Sequence, residues 1–313
     1  MSQNTCKRLL GLSIVLLVLL TLFAPPDISC VQWQMNPTVS CILSLSFLIG
    51  TALLISYINR AVFVVYSDRF TLPSIYLLIS LSDFRIFFFS KYHIVAVLSL
   101  IGVSFILRFL IREDVSKSDY FIWALMMSIA ALFVPQMIWI LIPGLLVAFD
   151  KGSEQKSSLS LITFGSILIP LFYLSSFNFI FGGTSFAVTV SDRLSSAVDF
   201  EFPKVSSMVR LSYAFIMGAV ILCTVYIVWS KFDAIRNSNM RKQSGFIFPY
   251  LIFMTVLLLF SADTNGPKIL ILAVPWSLLF VYYGELSSFV RIWKHLVLMV
   301  IVSTMIIRVY EII

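Results

Sequence analysis

The chain has 313 residues, of which 60% are hydrophobic and 12% charged, with a mean hydropathy of +1.00. Soluble globular chains carry about 25% charged residues, so this chain lacks the charge to cover a water-facing surface, and a soluble domain is excluded. The formal charge of +7 does not point to nucleic acid, because the basic residues form short clusters between apolar runs and no stripe along one face.

The apolar runs are long and follow one another closely, the signature of bilayer spans. Inside lipid each backbone N–H and C=O must bond within its own segment, so the spans are expected to be helices. At the start, Lys7 and Arg8 precede an apolar run from Leu9 to Ala24. That is about sixteen residues, longer than the roughly 7–15 of a signal-peptide core. No A-x-A site follows, and Asp27 stands three residues before Cys30, where a lipobox would not tolerate it. The run reads as an uncleaved first span.

Further spans are expected at 38–57, 70–82, 94–111, 120–134, 136–149, 159–174, 207–229, 246–260, 267–283 and 292–308. The run 70–82 is short for a crossing; it either extends through Phe84 and Ile86 to Phe89 or is re-entrant. Residues 61–66 read as a short interfacial helix between Arg60 and Arg69. The stretch 120–149 is either one tilted helix or a hairpin broken near Pro135-Gln136. With a hairpin, 15 of the 22 basic residues face the cytoplasm; with a single helix the number falls to 12. The positive-inside rule favours the hairpin, and Pro135 supplies a cause for the break. The expectation is therefore an all-α polytopic transmembrane bundle of about eleven spans in one integral membrane domain, residues 1–313. Its N-terminus is cytoplasmic, and its membrane is a bacterial inner membrane. Residues 175–206 then form a long outer loop, and 230–245 a basic inner loop suited to anionic lipid headgroups.

No P-loop, GxGxxG, HExxH or GxSxG motif is present. Four cysteines without a CxxC pair and two histidines offer no metal-ligand set. What remains is charge at membrane depth or at the outer surface. Asp27 follows the first span and is a candidate general base, with an ordinary polar span end as the alternative. Asp83, Arg85, Lys91 and His93 lie between the third and fourth spans. They form a candidate phosphate site, since Arg85 can bond an anion bidentately; a solvated interfacial loop is the alternative. Arg210 lies a few residues inside a span and either contacts substrate or snorkels to the interface, and Arg108 has the same two readings. Asp192 and Arg193 stand on the long outer loop. Asp263 and Lys268 bracket a short Asp-Thr-Asn-Gly turn, with a sugar or phosphate contact as the weaker reading. Ser44, Ser46, Ser99 and Ser104 read as helix-packing serines.

The stretch from Asp119 to Gly182, DYFIWALMMSIAALFVPQMIWILIPGLLVAFDKGSEQKSSLSLITFGSILIPLFYLSSFNFIFG, has a telling order. An aliphatic span, a proline-marked break and a second span lead through a basic link to a third span ending in aromatics. This resembles the middle of GT-C type membrane glycosyltransferases, which use polyprenyl-phosphate-linked sugars on the outer side of the membrane. With SDRFTLPSIYLLISLSDFRIF and RKQSGFIFPYLIFMTVLLLFS, the chain also resembles an uncharacterised family of bacterial multi-span proteins. The GT-C resemblance implies a polyprenyl-phosphate-linked sugar as substrate, no further cofactor, and Asp27 as the acid of the first outer loop. Arg85, Lys91 or Arg210 would hold the lipid phosphate. The paired acidic motif of many GT-C members is missing here. Two other functions stand beside this one: a transporter or flippase for a lipid-linked or amphiphilic substrate, and a non-catalytic subunit of a membrane complex.

Overall fold

The structure, a computed structural model, describes residues 36–61, 71–81, 83–112, 116–150, 156–182, 186–199, 238–259 and 267–284. Among these residues the protein is helical throughout, without a strand. The chain divides into two compact units. Met1–His93, Lys204–Phe248 and Asn265–Ile313 form the first; Ile94–Pro203 and Pro249–Thr264 form the second.

In the first unit, α1 (Pro37–Ala61) starts at Asn36, whose Oδ1 accepts from the Thr38 N–H at 3.0 Å. Pro37 occupies the first helical position, where a missing N–H costs nothing. Helix α2 (Thr71–Ser80) has ten residues, a rise of about 15 Å and about half the hydrocarbon thickness. It does not continue as one helix to Phe89. Asp83 is extended, and its side chain accepts from the Arg85 N–H, opening a 3-10 turn at Phe84–Phe87. A short carboxylate that bonds the backbone two residues on competes with helical bonding and ends it. Helix α3 (Lys91–Ile111) begins after this turn. Two further helices are α8 (Ser238–Leu259), whose first half belongs to this unit, and α9 (Ile269–Gly284), which packs on α2. Every residue of α9 from Ile269 to Leu279 is buried. Residues 238–245, expected in the basic inner loop 230–245, are helical, and Gln243 and Ser244 are buried.

The second unit holds the rest of α3, followed by α4 (Lys117–Phe133), a 3-10 segment (Pro135–Ile140) and α5 (Leu141–Asp150). Then come α6 (Lys156–Gly182), α7 (Phe186–Val198) and the second half of α8. Ser116 caps α4 by accepting from the Asp119 N–H at 3.3 Å. Val134, extended before Pro135, ends it, as expected of a residue held out of the α region by a following proline. The chain then turns back, and Gly144 on α5 lies against the indole of Trp123 on α4. An added Cβ at Gly144 would fall inside that ring. On one continuous helix these residues would stand about 31 Å apart, so 120–149 is not a single long helix. The first six residues after the break are 3-10 and become α-helical only from Leu141. Tyr120 ties α4 to Thr163 of α6 at 2.9 Å, and its ring stacks on Phe109 and Trp123.

Residues 175–206, expected as a loop, include the end of α6 and all of α7. A hydropathy scan registers long apolar runs; a 13-residue helix with only one apolar face does not register in it. Three helices among the described residues are long and apolar enough to cross a membrane: Pro37–Asn59, Lys91–Ile111 and Ser157–Gly182. The last has 22% of its apolar window buried against 61% for the second. Leu161, Phe164, Phe172, Tyr173, Phe177 and Phe181 on it point outward, a surface that suits lipid chains. The expected spans 9–24, 207–229 and 292–308, and the interfacial helix expected at 61–66 beyond Ala61, lie outside the described residues.

Gly144→Ala should destabilise the protein by about 1–3 kcal/mol, the usual cost of forcing a methyl into a packed contact. Gly50→Ala, with nothing within 4 Å of the added carbon, serves as the control. Thermal unfolding in detergent, followed by circular dichroism, checks both.

Candidate functional site

Among the described residues of the first unit, a polar network surrounds the turn between α2 and α3. Asp83 is buried, with its side chain 3% exposed, and Arg85 is 24% exposed. The Arg85 Nε donates to Asp83 Oδ1 at 2.9 Å and its Nη2 to Oδ2 at 2.6 Å. The two-point contact fixes the plane of the guanidinium, which a lysine could not achieve. Lys91 opens α3 with its Nζ 5.7 Å from the centroid of the Tyr92 ring. Among the described residues this rim carries one carboxylate, Asp83, and two cations, Arg85 and Lys91.

His93 sits behind the rim and is buried. Its Nδ1 accepts from the Ser90 backbone N–H at 3.2 Å, one half of a capping box at the start of α3, with histidine in the usual place of glutamate. This assigns the proton to Nε2, which lies 3.0 Å from the Ile86 carbonyl and 2.9 Å from Ser44 Oγ. Ser44 donates its own hydrogen to that same carbonyl of Ile86. A nucleophile–base pair would need an unprotonated nitrogen facing the serine. Here the facing nitrogen is a donor, so Ser44 and His93 are built for holding, not for attack.

A second cluster closes the far end of α3 within the second unit. Asp119, 3% exposed, pairs with Arg108 at 3.3 Å and Arg112 at 3.1 Å. Arg108 also lies over the Phe105 ring, 5.4 Å from its centroid. Arg108 is thereby drawn onto a neighbouring helix, with its side chain still 42% exposed. Asp119, in the first turn of α4, also meets the positive end of that helix.

Arg193, expected on an outer loop, is on α7 and donates to the Leu132 carbonyl at 2.9 Å. That carbonyl belongs to the last turn of α4, where Pro135 ends the helical pattern. In return Gln136 Nε2 donates to Ser196 O at 3.2 Å, and Trp139 Nε1 to Ala197 O at 2.8 Å, at the last turn of α7. Two helix ends cap one another. The neighbouring Asp192 uses its backbone carbonyl to accept from Ser195 and Ser196. A cavity of about 30 Å³ beside Arg193, lined by Ser128, Leu132 and Ile167 among others, has room for about one water.

Of the residues singled out in the sequence, the structure joins Asp83, Arg85, Lys91 and His93 around one turn. It sets Asp192 and Arg193 in α7, and places Lys268 in a turn before α9. Asp27, Arg210 and Asp263 lie outside the described residues. Ser40, which accepts from the Phe89 N–H at 2.8 Å, was not legible as part of the site. Its i, i+4 spacing with Ser44 was the available signal. Asp119 was legible only as the fourth residue of a Ser-x-x-Asp cap.

The residues define an all-helical membrane protein. No family model, curated protein or solved structure matches the chain.

Asp83→Ala should remove both the cap of the 3-10 turn and the anchor of Arg85, lowering stability by about 1–3 kcal/mol. Asp83→Asn keeps an oxygen for the cap and should cost less. Denaturant or thermal unfolding of the two variants in one detergent gives the comparison.

Proposed function

We propose that this chain acts in envelope glycan or lipid-linked sugar assembly at the outer face of a bacterial inner membrane, with a polyprenyl-phosphate-linked sugar as substrate. The observation that supports the reading is the Arg85 guanidinium, oriented by buried Asp83 in the turn that leads to Lys91, the first residue of a membrane-length helix. Such a rim matches a phosphate at the level of the headgroups, where a lipid-linked donor carries its charge. The sequence resemblance to GT-C enzymes supplies the reaction class, and Asp27 its base.

In this mechanism Asp27 takes the proton of an acceptor hydroxyl as that oxygen attacks the anomeric carbon. The bond from that carbon to the phosphate oxygen breaks, and the phosphate leaves as an anion held by Arg85 and Lys91.

Purified protein in detergent should bind farnesyl phosphate, a short polyprenyl phosphate, more tightly than inorganic phosphate. Arg85→Ala should weaken that binding about tenfold, as loss of one charge-assisted contact does. Isothermal titration provides the constants. Equal affinity in the Arg85→Ala variant would remove Arg85 from the site. In a glycan-transfer assay Asp27→Asn should lower the rate by about 10²–10⁴; full activity would rule out the assigned base.

A further inference from the structure

The phosphate-facing turn has few means of holding itself in place. Its 3-10 segment spans only Phe84–Phe87, too short to be stable alone. Phe88 and Phe89 then lead in non-helical backbone to Ser90. Yet this whole stretch is buried from Ile86 to Ser90, so each backbone group that leaves the helical pattern needs a partner. Two of those partners come from α1, one turn apart on one face: Ser40 accepts from the Phe89 N–H, and Ser44 donates to the Ile86 carbonyl. His93 supplies the third and fourth contacts, accepting from Ser90 N–H through Nδ1 and facing Ile86 O through Nε2. The Phe47 and Phe89 rings, with centroids 4.9 Å apart, add an apolar contact between α1 and this stretch.

We propose that Ser40, Ser44 and His93 are positioning residues for the anion site, a clamp that sets where Arg85 and Lys91 stand relative to α1. The inference rests on the function proposed above for its substrate, although the clamp itself stands on the hydrogen bonds. The contacts require a side chain that accepts at one atom and donates at another. One ring nitrogen must accept while the other donates, and the two targets lie at opposite ends of the ring, Ser90 N and Ile86 O. A glutamine at the same position carries one acceptor and one donor and can cap Ser90 in the same way. Alanine can do neither.

The test compares His93→Ala, His93→Gln and Ser40→Ala with the unaltered protein in detergent, using two readouts. Hydrogen–deuterium exchange of peptides covering Ile86–Ser90 should speed up about tenfold or more in His93→Ala and Ser40→Ala. In His93→Gln it should stay near the original rate. The dissociation constant for farnesyl phosphate should rise about tenfold in the two alanine variants and recover in His93→Gln. A uniform rise in exchange across all helices in His93→Ala would show general unfolding; Ser40→Ala, which removes one hydroxyl on α1, then decides by the same two readouts. Unchanged exchange at 86–90 in both alanine variants overturns the clamp. Faster exchange with unchanged farnesyl phosphate affinity overturns its positioning role. If the unaltered protein binds no farnesyl phosphate, the proposed function and the positioning role both fail, while the exchange data still decide whether the clamp exists.

Discussion

A polar group away from water has to find its partner inside the protein, and in a membrane protein that demand reaches every break in a helix. Within a helix the backbone meets it alone. At a break, carbonyls and N–H groups lose their helical partners, and side chains must replace them. The described residues hold several such breaks, and each is closed by named side chains. Asn36 caps α1, Ser116 caps α4, and Asp83 caps the 3-10 turn. Ser90 with His93 caps α3. Arg193 on α7 closes the end of α4, while Gln136 and Trp139 close the end of α7.

The same demand explains where the hydroxyls of the helices point. Ser46, Thr51, Ser80, Ser128, Thr163 and Thr255 each bond a carbonyl one turn back on their own helix. A hydroxyl satisfied this way can face apolar surroundings at little cost. Ser40 and Ser44 depart from this pattern, because their partners lie on another segment. That departure separates serines that merely tolerate the membrane from serines that hold the turn carrying Arg85.

Charge follows a similar logic. The buried carboxylates Asp83 and Asp119 are both paired with arginine, and both stand at the start of a helical segment. Asp83 therefore gains a cation and a backbone donor together, and Asp119 gains two cations at the positive end of α4, support that a lone ion pair in an apolar setting lacks. The arrangement converts arginines that the sequence offers as free cations into oriented ones. For Arg85 that orientation fixes the plane of the guanidinium. For Arg108 it fastens α3 to α4.

Much of this was legible in the sequence, and the dividing line is physical. Apolar run length alone establishes a helical membrane protein, because solvation of the backbone leaves a spanning segment few other forms. Pro135 marked the break after α4, since its ring acts on neighbours in sequence. The cluster Asp83, Arg85, Lys91 and His93 was visible because its members are close along the chain. What the sequence did not carry was any pairing across segments: Trp123 against Gly144, Arg193 on Leu132, Ser40 on Phe89. The helix at 186–198 was hidden in what read as a loop, because its apolar face is too short for a hydropathy run. His93 shows the limit most clearly. Its place in the sequence made it a candidate for chemistry, but only the tertiary structure, by putting Ile86 O and Ser44 against one nitrogen and Ser90 N against the other, decided that both nitrogens are committed to holding the turn.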